Sequence, residues 1–301
     1  MSWRDDFADI LDADRDLAES SYYRIGGRAR AFLEPRDAGE TAALVAALAR
    51  AGEPWRVLGG GANVLMDDAD HDEPIVHPSR LRGRVEDGEL VRVGAGESFP
   101  RLVADVAREG REGLETLAGI PGQVGGICAM NAGGRHGEFA DRVVRVQVAT
   151  TDGELRWLAR DEVGFGYRHT DLPAGVVTAV ELRLPFASDP EAVRGRAAEI
   201  LRRKKETQPL RLPSSGCVFA NPEGGSAGRL IDELGLKGRR VGDAEISPLH
   251  GNFIVNLGAA RYAEVLALID EIEAEAASRR GIALRREIRV WPAWRRPAEM
   301  S

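Results

Sequence analysis

The chain has 301 residues and two cysteines, Cys128 and Cys217. Two thiols alone do not imply a disulfide framework. The five histidines, His71, His77, His136, His169 and His250, never fall at zinc-ligand spacing with those cysteines, so no metal site is expected. Long apolar runs are missing, which argues against a membrane-spanning helix. The opening Met1-Ser2-Trp3-Arg4-Asp5-Asp6 is acidic and polar, unlike a signal peptide. A cytoplasmic protein is expected. An excess of positive charge is also missing: 41 Lys and Arg face 48 Asp and Glu, for a net charge of -7. That balance predicts no nucleic-acid and no membrane partner, while leaving room for a local basic pocket that meets a phosphorylated small molecule. Internal repeats and low-complexity tracts are absent as well.

What is present is an ordinary globular composition, with enough length for two or three sub-domains. A helix is predicted from Asp37 to Ala51, with Leu44, Val45 and Leu48 on its apolar face and Gly52 as its stop. A short strand, Trp55–Leu58, runs into Gly59-Gly60-Gly61-Ala62-Asn63. Asp87-Gly88 and Asp152-Gly153 each sit between alternating apolar segments and predict hairpins. Ser98 is expected to cap a helix carrying Leu102, Val103 and Val106. A strand is expected at Val176–Leu184, and Ser188-Asp189-Pro190 opens a helix through about Lys205. Further on, the pattern predicts a helix after Ser226, a strand at Asn252–Leu257, and a long helix Arg261–Arg280 with Val265, Ile269, Ile272 and Ala276 on one face. A last strand is expected at Ala283–Val290, followed by a loose tail from Trp291 to Ser301. The expected class is α+β with antiparallel ribbons rather than βαβ repeats.

Two glycine-rich stretches carry the first functional signal. Gly59-Gly60-Gly61-Ala62-Asn63 follows a strand and presents several backbone N–H groups unobstructed by Cβ atoms. A diphosphate can approach such a loop closely, although a tight turn explains three glycines equally well. The second stretch, Gly119-Ile120-Pro121-Gly122-Gln123-Val124-Gly125-Gly126, interleaves glycine with apolar residues, which suits backbone lying against a flat apolar ligand. Neither stretch ends in Gly-Lys-Ser/Thr as a P-loop does. Neither matches the dinucleotide fingerprint, since Gly94-Ala95-Gly96 lacks the third glycine and the βαβ setting.

In order along the chain, Arg24-Ile25-Gly26-Gly27, Leu58–Asn63, Gly119-Ile120-Pro121-Gly122 and Asn131-Ala132-Gly133 resemble the UDP-N-acetylenolpyruvoylglucosamine reductase family. The likeness continues through Phe165-Gly166-Tyr167-Arg168, Ser215–Pro222, Ala227–Ile231, Gly235–Gly238, Phe253–Asn256 and Glu287-Ile288-Arg289. It spans roughly residues 20–290 and matches the shorter subclass, which lacks an inserted tyrosine-bearing loop. The resemblance implies a vanillyl-alcohol-oxidase/PCMH-type FAD-binding fold with a C-terminal α+β substrate domain. It implies sub-domains at 20–80 and 81–187 for FAD and at 188–290 for a UDP-amino sugar. Non-covalent FAD and the hydride donor NADPH are the implied cofactors. FAD is implied to lie against Gly59, Gly60, Gly61, Ala62, Asn63, Gly119, Pro121, Gly122, Val124, Gly125 and Gly126. Substrate is implied at Tyr167, Arg168, Gly216 and Asn221. The sequence departs from the family at Ala62, where Ser is usual, and at Gln123, where Thr is frequent. It departs again at Ala220, where a basic residue is usual, at Asp243 in place of Gly, and at Ser21-Tyr22.

The implied reaction reduces an enolpyruvyl ether: hydride from flavin N5 reaches the terminal carbon, and negative charge builds on the adjacent carbon and its carboxylate. The protein then supplies position and electrostatics. Arg168 resembles the family arginine facing that charge, and a guanidinium grips a carboxylate bidentately. Glu287 resembles the family glutamate. In a dry site it would be protonated and would share a hydrogen bond with the enolate; the plainer alternative is a surface acid paired with neighbouring arginines. Cys217 stands where the family usually has a proton-donating Ser. A thiol, with a reference pKa of about 8.5, holds its proton at neutral pH yet gives it up far more readily than a hydroxyl. Flanked by Gly216 and Ser214-Ser215, it is expected in an exposed loop, whereas Cys128 is expected to be packing. Lys204-Lys205 suits either a phosphate or a solvated helix face. An oxidase of the same fold, and a non-catalytic flavin- or UDP-sugar-binding protein, remain the alternative readings.

Overall fold

The structure is a computed structural model that describes residues 2–134 and 136–295. Period-two patterning builds its largest sheet. Five antiparallel strands stand in the order Leu155–Ala159, Val143–Thr150, Gly175–Arg183, Leu90–Gly94 and Arg84–Asp87. Val91, Val93, Val146, Val148, Val180 and Leu182 point from it into one core with Phe99, Leu102, Val103 and Val106 of the helix Phe99–Arg108. Both expected hairpins are present. The first turns on Gly88-Glu89, because Asp87 still pairs with Leu90 and the left-handed position is Gly88, φ +58°.

The helix Ala38–Ala51 forms as the sequence predicts. Asp37 accepts from the Glu40 amide at 2.8 Å, and Gly52 ends the helix at φ +68°. Its apolar face packs with Trp3, Ile10, Leu33 and Val76 in a second core. This helix is also the crossover for a small sheet ordered Leu11–Asp12, Phe32–Leu33, Ile75–Val76, Arg56–Val57, whose last two pairings are parallel. The sequence predicts antiparallel ribbons rather than βαβ repeats, and strands two residues long carry too little pattern to reveal these parallel pairings.

Chain contacts divide the protein into two compact units. The first holds the chain up to Ala13, Ala31–Gly60 and Glu73–Arg202; the second holds Asp14–Arg30, Gly61–Asp72 and the chain from Arg203 onward. In the second, the helix Tyr262–Arg280 buries Val265, Ile269, Ile272 and Ala276 on one face and stops at Gly281, φ +67°. It packs with the helix Ala227–Glu233, capped by Ser226, and a three-stranded antiparallel sheet of Arg240–Val241, Ala244–Ile246 and Ile254–Asn256.

Three local expectations are corrected. Ser98 occupies the N-cap position of its helix, but its side chain makes no capping bond. The first helical amide, Phe99 N, donates instead to the carbonyl of Gly122 at 3.0 Å, so the glycine loop satisfies the helix end. The expected strand Ala283–Val290 shrinks to Arg289–Trp291, which pairs in parallel with Val64–Met66. The tail does not begin at Trp291. Asp67 N donates to Trp291 O at 3.0 Å and Asp72 N to Trp294 O at 3.1 Å; residues 296–301 lie outside the described residues.

Candidate functional site

In the first unit Gly59-Gly60, the start of the first glycine stretch, lies against the second stretch. A Cβ built on Gly60 would sit 2.9 Å from Gly122 Cα and 3.1 Å from Gln123 N; one on Gly59 would sit 3.7 Å from Gly126 Cα. Only glycine permits that approach. Gly119 and Gly122 have left-handed φ of +78° and +115°, and Pro121, between them, is half-buried. The second stretch is seated by its own backbone: Val124 N donates to Glu97 O at 3.0 Å and Gly125 N to Ala95 O at 2.8 Å. Val124 and Gly125 therefore contribute the loop's position rather than free donors. Gly126 borders open space. Buried Gln123 Oε1 has no hydrogen-bond partner among the described residues. The chain enters the second unit at Gly61, φ +64°, where a Cβ would lie 2.0 Å from Ser20 O. The amides of Gly59, Gly60, Gly61 and Ala62 have no acceptor among the described residues. Unpaired amides on a glycine backbone and an orphaned side-chain carbonyl fit a large polar cofactor such as FAD, with the N–H groups suited to its diphosphate.

Arg168 also belongs to the first unit. Gly164–Gly166 and His169–Asp171 form a short antiparallel hairpin in which Gly166 pairs with His169, leaving Tyr167-Arg168 as a two-residue turn. Arg168 adopts φ +56°, a region that costs a non-glycine residue about 1 kcal/mol and recurs at functional positions. Its guanidinium lies 4.9 Å from the Tyr167 ring centroid, and Tyr167 is exposed. The other non-glycine residues at positive φ among those described are Arg24 and Asn131. Each stands in one of the segments that carry the family resemblance.

The second unit joins the segment after Cys217 to the segment that holds Glu287. Glu287 N donates to Val218 O at 2.8 Å, and Ala220 N to Arg285 O at 2.9 Å. Asn252 clamps the same run from elsewhere, accepting from Phe219 N at 2.9 Å and donating to Phe219 O at 2.8 Å. Asn63 donates through Nδ2 to Glu287 O at 3.1 Å, and its own carbonyl accepts from Arg289 N at 3.0 Å. Arg286 is held by Glu273 and Asp270. Cys217 is half-buried and Ser215 fully so, which corrects the expected exposed loop. Gly216, φ +78°, supplies the bend before the thiol.

Asn221 uses its side-chain oxygen to accept from Ala227 N at 3.0 Å, at the start of the Ala227–Glu233 helix. Lys204 and Lys205 differ: Lys205 is exposed, whereas Lys204 is half-buried. Burial pushes the Lys204 ammonium down to about 8, and the charge of a Cys217 thiolate acts in the opposite direction. Cys128 is buried and its thiol is pushed up to about 12, in keeping with a packing role. Asn252 and Asn131 are not legible as functional from the sequence, because a lone Asn shows no periodicity; Asn131 stands in a segment that carries the family resemblance, and Asn252 stands just before one.

Residues 29–159 match the model of an FAD binding domain, and residues 208–291 that of the C-terminal domain of UDP-N-acetylenolpyruvoylglucosamine reductase. The UDP-N-acetylenolpyruvoylglucosamine reductase of Anaeromyxobacter sp. (strain K) is 42% identical over 296 residues, covering 96% of this chain and 89% of that protein. The enzyme of the same name from Thermus thermophilus is 49% identical over 241 residues, covering 79% and 86%. The crystal structure of UDP-N-acetylenolpyruvylglucosamine reductase from Thermus caldophilus superposes with a TM-score of 0.82 at 42% identity, covering 94% of this chain and 99% of that one. Among the described residues no helix is long and apolar enough to cross a membrane, and no cluster of His, Cys, Asp and Glu could hold a metal ion.

The contact between the glycine stretches gives a direct expectation. In Gly60→Ala the added methyl meets backbone on the opposing loop, which has no flexible side chain to move aside. The purified protein should keep its far-UV circular dichroism but lose most of its FAD, read as the ratio of visible to ultraviolet absorbance. A full wild-type FAD content would contradict the role given to this contact.

Proposed function

We propose that this chain, which belongs to the UDP-N-acetylenolpyruvoylglucosamine reductase family, catalyses the NADPH-dependent reduction of UDP-N-acetylenolpyruvoylglucosamine to UDP-N-acetylmuramate, a cytoplasmic step in peptidoglycan precursor synthesis. It is an FAD-dependent oxidoreductase of the vanillyl-alcohol-oxidase/PCMH type. The observation that supports the reading is the backbone bond from Glu287 to Val218, the residue after Cys217, which ties together two segments from distant parts of the sequence that carry chemically complementary groups. One is a thiol able to give a proton, the other a carboxyl able to bond an enolate.

Backbone amides of Gly59–Ala62 and the open face at Gly126 would hold FAD, which when bound supplies the hydride taken up by the terminal enolpyruvyl carbon. The electron pair of the double bond then moves onto the adjacent carbon and its carboxylate. Arg168 stabilises that charge with its fork of N–H donors, an interaction that strengthens as the charge develops. Glu287 offers a hydrogen bond to the same carboxylate when protonated. Cys217 transfers its Sγ proton to the carbanionic carbon, and the thiolate left behind regains a proton from solvent. Asn221 and Tyr167, with Gly216, bind the substrate, and Lys204 is a candidate for its diphosphate.

Two measurements separate this reading from its alternatives. Acid or heat should release FAD into solution, whereas a flavin that stays with denatured protein would indicate a covalently tethered oxidase. NADPH oxidation should then require the enolpyruvyl sugar nucleotide. A protein that binds this compound without consuming NADPH would be a binding protein rather than a reductase.

A further inference from the structure

Asn131 has no role in the chemistry above, yet its setting is unusual. It is fully buried and sits at φ +39°, a conformation Asn tolerates better than most residues. Its Nδ2 donates to Glu138 Oε2 at 2.8 Å and to the carbonyl of Gly166 at 3.0 Å, while its Oδ1 accepts from Ala140 N at 3.0 Å. The orientation of the amide follows from its partners, since Ala140 N can only donate and Gly166 O can only accept. Gly166 is the last strand residue before the Tyr167-Arg168 turn. Across the hairpin, Thr170 Oγ1 donates to Cys128 O at 2.7 Å. Cys128 lies in the helix Val124–Ala129, which leads directly out of the second glycine stretch. Both strands of the hairpin are thus tied to the segment that follows that stretch.

The tie answers a physical need. A hairpin with three residues in each strand is barely stable alone, and a non-glycine residue in the left-handed region persists only where its surroundings impose it. We propose that Asn131 is a positioning residue for Arg168: its bond to Gly166 O holds the turn in the conformation that presents the guanidinium, in a fixed place relative to the flavin loop. The proposal rests on the role given to Arg168 above. Glu138 completes it by fixing Asn131, and Thr170 provides the second tether.

The test uses the FAD-loaded full chain. Asn131→Gly keeps the left-handed backbone and removes all three side-chain bonds. Asn131→Asp is the second variant: it keeps the acceptor for Ala140 N and, when ionised, loses the donors to both Glu138 and Gly166. Both should retain FAD and reduce it with NADPH within about twofold of wild type. Both should slow anaerobic reoxidation by the enolpyruvyl substrate at least tenfold, and amides of residues 164–171 should exchange faster with deuterium. In an Arg168→Gly background the additional slowing should shrink to less than twofold, because the group being positioned is gone. Wild-type reoxidation in Asn131→Asp, or the same factor with and without Arg168, would overturn the positioning role while leaving the function of Arg168 intact. An Arg168→Gly enzyme that itself reoxidises at the wild-type rate would remove the premise, and the proposal with it.

Discussion

An Arg168→Gly enzyme is expected to melt at or above the wild-type temperature, yet to reoxidise its flavin with the enolpyruvyl substrate about a hundredfold to a thousandfold more slowly. The two halves of this expectation have separate causes. Glycine is at ease at φ +56°, the angle Arg168 adopts, so the substitution relieves about 1 kcal/mol of backbone strain, partly offset by the greater freedom of glycine in the unfolded chain. Losing a preorganised donor for charge that grows in the transition state costs about 10²–10³ in rate. Reduction of the flavin by NADPH involves no enolate and should be nearly unchanged. Arg168→Lys should fall between, because an ammonium offers charge without the planar fork. Calorimetry with stopped-flow absorbance on each half-reaction reads all of this. A variant that is both less stable and equally slow in both halves would make Arg168 a structural residue.

Cys217→Ala should likewise be bleached by NADPH at the wild-type rate and then remain reduced far longer when mixed anaerobically with the enolpyruvyl compound. Loss of a positioned proton donor costs about 10²–10⁴ in rate. Cys217→Ser places a hydroxyl at nearly the same point and should recover much of that loss. The two donors differ in their response to pH. As pH rises through the thiol range, the fraction of Cys217 carrying a proton falls, so the wild-type second half-reaction should slow. The serine variant keeps its proton over that range and should lack this limb. Unimpaired reoxidation in Cys217→Ala would leave Cys217 as a packing residue despite its bonded neighbours.

The sequence made the helices and hairpins legible where the signal is local. Asp37 and Gly52 bracket one helix, Ser226 starts another, and glycines at 88 and 153 mark two turns. It failed where partners come from far along the chain. The amide of Phe99 goes to Gly122 instead of a Ser98 hydroxyl, a choice that depends on where a distant loop lies. Residues 283–288 alternate like a strand but are used one bond at a time, at Arg285 O and Glu287 N, to hold the Cys217 segment. The glycine stretches were visible as candidate loops, but not their mutual contact at Gly60 and Gly122. The positive φ of Arg168 was equally hidden, since nothing in Phe165-Gly166-Tyr167-Arg168 announces that the arginine rather than a glycine takes the left-handed position.

Flavin reduced by NADPH should pass its electrons to an enolpyruvyl sugar nucleotide, which a single anaerobic experiment reads out. The yellow protein is bleached with one equivalent of NADPH and then mixed, in the absence of oxygen, with one equivalent of UDP-N-acetylenolpyruvoylglucosamine, while visible flavin absorbance is followed. Full return of the oxidised spectrum is expected, with one equivalent of UDP-N-acetylmuramate formed. A protein that stays bleached until air is admitted, with the enolpyruvyl compound unchanged, would contradict it.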